Sequence, residues 1–122
     1  MVINIERDNN TCILRISGRL ATGMDDEYLV AKAREIKAMG CPNVLLDIRE
    51  LHSVGSSGIG FFVDLYTSVL RNGTGRLVLA APSPYVQEVL DLTGLSKIIP
   101  IVSDLAAARA FLAPTSKSAG GD

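Results

Sequence analysis

The stretch from Val44 to Leu70, VLLDIRELHSVGSSGIGFFVDLYTSVL, constrains the fold more than any other because its hydrophobic period changes midway. From Val44 to Ile48 only Asp47 interrupts an apolar run, the pattern of a central parallel strand covered on both faces. From Ile59 onward the apolar positions Ile59, Phe62, Val63, Tyr66 and Val69 fall on one helical stripe that must face a core. Between the two lies a loop ending Gly55-Ser56-Ser57-Gly58, so adjacent serines sit where loop becomes helix. Ser56 or Ser57 is the expected N-cap, accepting from orphan N–H groups of the first turn. A phosphate added there would meet the same donors and the positive end of the helix dipole. Phe61 and Leu65 lie off the stripe, one turn apart, and are expected to form an apolar patch flanking the polar loop.

The remaining chain alternates strand and helix signals. Val2 to Glu6 and Thr11 to Ser17 alternate in the strand period around the turn residues Asp8-Asn9-Asn10, which reads as an antiparallel hairpin at a sheet edge. Thr22 followed by Asp25 resembles a capping box opening a helix whose inward residues are Leu29, Ala33 and Ile36, closed by Gly40 and Pro42. After the central unit come a turn at Asn72-Gly73-Thr74-Gly75 and a strand from Arg76 to Ala81. Ser83-Pro84 then opens a helix with inner residues Val86, Val89, Leu90 and Thr93, ended by Gly94. A last strand is expected over Lys97 to Val102, and Ser103-Asp104 caps a final helix in which Leu105, Ala108 and Leu112 pack before Pro114. The order is ββαβαβαβα, an α/β fold with a mixed, mainly parallel sheet, an N-terminal antiparallel hairpin and four helices. One domain over residues 1–113 is expected, with 114–122, rich in Ser, Gly and Ala, as a disordered tail.

Composition removes several functional classes. The formal net charge is −1 and the basic residues are dispersed, so nucleic acid has no electrostatic footprint to bind. No apolar run approaches a membrane span, and a cytoplasmic protein is expected. Cys12, in a strand, and Cys41, just past a helix, are expected to be buried or indifferent thiols. A disulfide framework or a zinc quartet would need more ligands in regular spacing. His52 is the only histidine, which excludes a His-rich metal site.

The glycine-rich loop fits no nucleotide or nucleophile motif. No Lys follows it as in a P-loop, and neither serine has Gly at both −2 and +2 as in a nucleophile elbow. His52 lies four or five residues before the serines, but no oxyanion arrangement accompanies it, so hydrolysis is not the reading. Asp47 is not a receiver-type phosphoacceptor either, since the GRLA loop after Ser17 lacks the carboxylates that would hold magnesium. It is expected to be a loop or helix-terminus hydrogen-bond partner.

The segment LLDIRELHSVGSSGIGFFVDL resembles the signature of the STAS domain, the module shared by anti-sigma factor antagonists and the cytoplasmic ends of sulfate transporters. ISGRL before it and LVLAAPSPYVQEVLDLTGLSKIIPI after it look like the family's flanking elements, in order. The resemblance implies a bacterial partner-switching protein with no catalysis, cofactor or metal of its own. Unmodified, such a protein binds an anti-sigma factor, commonly a serine kinase, and frees a sigma factor for transcription. Phosphorylation of a serine at this helix start breaks the complex, and a serine phosphatase restores it. The family's Asp-Ser-Ser-Gly has its first serine modified, which maps to Ser56, with Gly55, Ser56, Ser57, Gly58, Phe61 and Leu65 as the expected partner surface. Two departures bear on phosphorylation more than on binding: Gly55 stands where Asp is usual, and Ala21 where an acid often follows the second strand. The second reading is a STAS module, never phosphorylated, that scaffolds partners or senses a small ligand.

Overall fold

The computed structural model of the chain describes residues 2–20, 26–71 and 75–113. The expected capping box at Thr22 and Asp25, the turn residues Asn72 to Thr74, Pro114 and the tail 114–122 lie outside the described residues. The described strands are β1 (Val2–Asp8), β2 (Thr11–Leu20), β3 (Asn43–Val54), β4 (Arg76–Ala80) and β5 (Ile101–Val102). The helices are α1 (Asp26–Met39), α2 (Ser56–Arg71), α3 (Pro84–Leu92) and α4 (Leu105–Leu112). One sheet runs β1-β2-β3-β4-β5, antiparallel between β1 and β2 and parallel elsewhere.

Each parallel step moves the chain one strand across the sheet, so right-handed crossovers stack α1, α2 and α3 on one face. The large core forms there. Leu14, Ile16, Leu46, Ile48 and Leu79 of the sheet meet Leu29, Ala33 and Ile36 of α1, Phe62 and Leu65 of α2, and Val86 and Leu90 of α3. On the opposite face α4 covers a smaller buried set, Ile13, Leu45, Val78 and Ala80, through Ala108 and Leu112. Helix ends follow local chemistry: Ser83 accepts from the Val86 N–H and Asp104 from that of Ala107, while Gly40 takes the left-handed φ of 68° that closes α1.

Gly75 is needed for close approach. A Cβ there would lie 2.6 Å from the Val69 carbonyl oxygen and 2.7 Å from that of Pro42, both backbone atoms that cannot swing away. Gly75→Ala should therefore cost about 1 to 3 kcal/mol by overpacking, measured by urea denaturation. An unchanged midpoint would show that the β4 entry is loose.

Three local expectations are corrected. The central strand runs on to Val54, because β2 continues alongside it to Leu20 and gives it hydrogen-bond partners. The last strand shrinks to Ile101–Val102; residues Leu95–Lys97 form a 3₁₀ turn that buries Leu95 and Ile99, and Pro100 has no N–H to offer a ladder. Asp47 lies within β3 rather than at a loop, 4% exposed. Arg49 grips it with Nε at 3.0 Å and a terminal nitrogen at 2.9 Å. Hydrogen bonding to Asp47, then the charge attraction, raises the Arg49 pKa above its ordinary value.

The cysteine expectation is also corrected. Cys12 and Cys41 form a disulfide with Cα atoms 5.9 Å apart, inside the range such a bond spans. Cys12 points from β2 into the helix-covered core and Cys41 follows α1, which packs on that same face. The crossover brings together residues that are 29 positions apart.

Candidate functional site

β3 outruns its neighbour on one side. Its pairing with β4 ends at Asp47 and Ala80, whereas its pairing with β2 continues to Val54 opposite Leu20. The strand thus carries Gly55 and the serines beyond the β4 side of the sheet, to the carboxyl end of the parallel strands. Ligand and partner sites of α/β sheets gather there.

The Ile59 N–H donates to the Gly55 carbonyl at 3.0 Å, which makes Gly55 the N-cap residue. Ser56 and Ser57 are then the first two helical residues rather than the cap. Their backbone N–H groups belong to the orphan donors of the first turn, and no acidic residue occupies that turn. Ser56 is exposed, and Gly55 and Ser57 are half-buried. The Ser57 hydroxyl donates to Asp26 Oδ1 at 2.6 Å, tying the start of α2 to the start of α1. Lys37 of α1 pairs with Asp64 of α2 at 2.8 Å further along. Between these two ties lies a cleft of about 310 Å³ with Leu29, Val30, Ala33, Gly60 and Phe61 in its walls.

The expected apolar patch is not where the spacing put it. Phe61 is 5% and Leu65 1% exposed, and Gly58 is buried as well, so these three are core positions of α2. Val63, expected inside, is instead 40% exposed. The helix carries a second apolar stripe, Ile59, Val63, Tyr66 and Leu70, with Ile59 and Tyr66 half-buried and Leu70 exposed. Both stripes satisfy helical spacing, and the sheet takes the one with the two phenylalanines. The exposed members of this stripe, Val63 and Leu70, stand about two and four turns along the helix from Ser56, while Ile59 and Tyr66 pack against the core. The sequence reading missed this edge and Asp26; the 59/63/66/70 spacing was the signal for the first, while nothing local marked the second.

The fold and sequence have known counterparts. The sequence profile of the STAS domain matches residues 2–108. An anti-sigma F factor antagonist of Paenibacillus polymyxa is 29% identical over 99 residues, 81% of this chain and 84% of that protein. Among solved structures, an anti-sigma factor antagonist from Mycobacterium paratuberculosis superposes with a TM-score of 0.80 at 21% identity, over 91% of this chain and 92% of its own. The Bacillus cell fate determinant SpoIIAA in its phosphorylated form does so with a TM-score of 0.67 at 21% identity, over 90% and 99%.

Proposed function

This chain belongs to the STAS domain family, and on that premise we propose that it is an anti-sigma factor antagonist, a binding module without chemistry of its own. Its partner is an anti-sigma factor acting as a serine kinase, its switch is phosphorylation of Ser56, and a serine phosphatase resets it. The observation that carries this reading is the exposed Ser56 at the first position of α2, on a helix whose outer edge exposes Val63 and Leu70 beside the half-buried Ile59 and Tyr66. The contact surface comprises Gly55, Ser56, Ser57 and that edge; Phe61 and Leu65 support it from beneath. The phosphorylated and unphosphorylated forms named for SpoIIAA, and the antagonist name of the Paenibacillus protein, support the reading. Transcription takes place in the bacterial cytoplasm, and the reading places the chain there.

The reading is tested by capturing partners from the source cells with the intact chain, then incubating the purified partner with the chain and ATP and mapping phosphate by mass spectrometry. An anti-sigma factor that phosphorylates Ser56 and then dissociates is the expected result. A stable complex with no phosphate would favour the unphosphorylated scaffold or small-ligand sensor, which the absence of the usual Asp at Gly55 supports.

Gly60 supplies a second check. It sits in an exposed position of α2 on the cleft, and a Cβ there would meet nothing within 4 Å. Glycine in a helix interior costs about 0.5 to 1 kcal/mol relative to alanine, and the fold itself has no steric need for it. We expect Gly60→Ala to raise stability by about that amount, and a partner that reaches from Ser56 onto the adjoining cleft would meet the added methyl and bind more weakly. Calorimetric titration with the captured partner checks this, and unchanged affinity would remove Gly60 from the interface.

A further inference from the structure

The Cys12–Cys41 disulfide ties the end of α1 to β2, and the loop it closes contains most of β2 and all of α1. The fold does not depend on that bond. Leu29, Ala33 and Ile36 of α1 lie in the main core together with both cysteines, an apolar setting that suits reduced thiols as well as a disulfide. A chain of this length also buries enough core to fold without a cross-link. In the cytoplasm thiols are kept reduced, and the disulfides that do form there are mostly transient, serving catalysis or redox sensing. We propose that Cys12 and Cys41 form a reversible redox site, exchanged with a low-molecular-weight thiol and its disulfide, whose oxidised state clamps α1 and, through it, the start of α2. The inference rests on the reading above for its compartment, though not for the pairing of the cysteines.

Exchange begins at Cys41. Cys12 is 0% exposed, whereas Cys41 is 5% exposed and lines a cleft of about 30 Å³ between α1 and α2, with Gly40 exposed beside it. A thiolate attacks the Cys41 sulfur, the bond to Cys12 breaks, and Cys12 leaves as a thiolate that takes up a proton. A second thiolate then attacks the small thiol's sulfur in the mixed disulfide, releasing Cys41 as a thiolate that is protonated in turn. The chain gains two electrons and two protons, and two small thiols leave as one disulfide; oxidation is the reverse. With the bond open, α1 is held by non-covalent ties alone. The Ile3 N–H donates to the Tyr28 hydroxyl at 3.0 Å and Arg7 donates to the Met39 carbonyl at 2.9 Å, while the Ser57–Asp26 and Lys37–Asp64 contacts join α1 to α2. An opening of α1 therefore takes both contacts from α2 as well. Oxidation makes that opening rarer, because a clamped helix gains less freedom on leaving the core. A partner then meets a helix start that is already ordered.

The test uses the purified full chain, equilibrated with reduced and oxidised glutathione in varied ratio, its free thiols trapped with a maleimide and counted by intact mass. Both thiols should appear together as the ratio rises and disappear together as it falls, without denaturant. The reduced chain should still melt cooperatively, about 8 to 16 °C below the oxidised one. Reduction should speed backbone hydrogen exchange in α1 and the first turns of α2 at least about tenfold more than in β3 and β4. A pair that stays oxidised in excess reduced glutathione, or stays reduced in excess oxidised glutathione, overturns the proposal. So does a reduced chain that is unfolded at room temperature, which would make the bond an essential staple. Exchange that speeds equally in every element, or in none, also overturns it, since the bond would then leave α1 and α2 uncoupled. The reading above fails separately, if the captured partner is not an anti-sigma factor.

Discussion

Replacing Phe62 by alanine is expected to destabilise the protein by about 3 to 5 kcal/mol, the range for emptying a fully buried aromatic position. Phe62 is 0% exposed and its ring lies 6.2 Å from that of Phe61, between α2 and the sheet. No neighbour can fill the void without leaving its own packing, because α2 is held by the sheet below and by Asp26 and Lys37 of α1 at its side. The loss is about a third or more of the stability of a typical domain, and urea denaturation would register it as a large fall in midpoint. Val63→Ala is the matched control: at 40% exposure it should stay within about 0.5 kcal/mol. If the two effects were reversed, the rotation of α2 about its axis would be wrong. The same rotation decides which variants can probe binding. Leu65→Lys would bury an ammonium at a position 1% exposed and unfold the helix packing, whereas Val63→Lys alters only the outer edge.

The second large effect belongs to Ser56. Ser56→Asp is expected to weaken binding to the anti-sigma partner by about 2 to 5 kcal/mol, the cost typical of an unmatched charge at an interface. The fold should be indifferent, since a negative group at the first position of α2 meets orphan N–H donors and the favourable end of the helix dipole. A partner seated on Ser56 and the apolar edge would have to desolvate that charge without a counter-ion, and the phosphate, larger and more highly charged, exaggerates both terms. Ser56→Ala should bind as the wild type does and escape kinase control. Ser57→Ala should remain switchable although it loses the tie to Asp26. Titration calorimetry of the variants against the captured partner, with circular dichroism to confirm folding, separates the cases. Full affinity in Ser56→Asp would move the interface away from the helix start.

Local pattern determined the element order. Period-two alternation in β1 and β2, the apolar start of β3, the Ser-Pro opening of α3 and the inward residues of α1 depend on neighbours a few positions apart, and the sequence holds those neighbours in view. The position of the serines at a helix start was legible for the same reason, as was the family motif around them. Tertiary structure alone decided three things, each a contact between distant segments. It chose between two apolar stripes on α2, because helical spacing is satisfied by both and only the sheet's shape selects the one containing Phe61, Phe62 and Leu65. It joined Cys12 to Cys41 across a crossover. It brought Asp26 to Ser57 from 31 residues away, tying the start of α1 to that of α2. A hydrophobic period records that a face is buried, but the element that buries it, and the charges it brings along, are fixed only when the chain has crossed the sheet and returned.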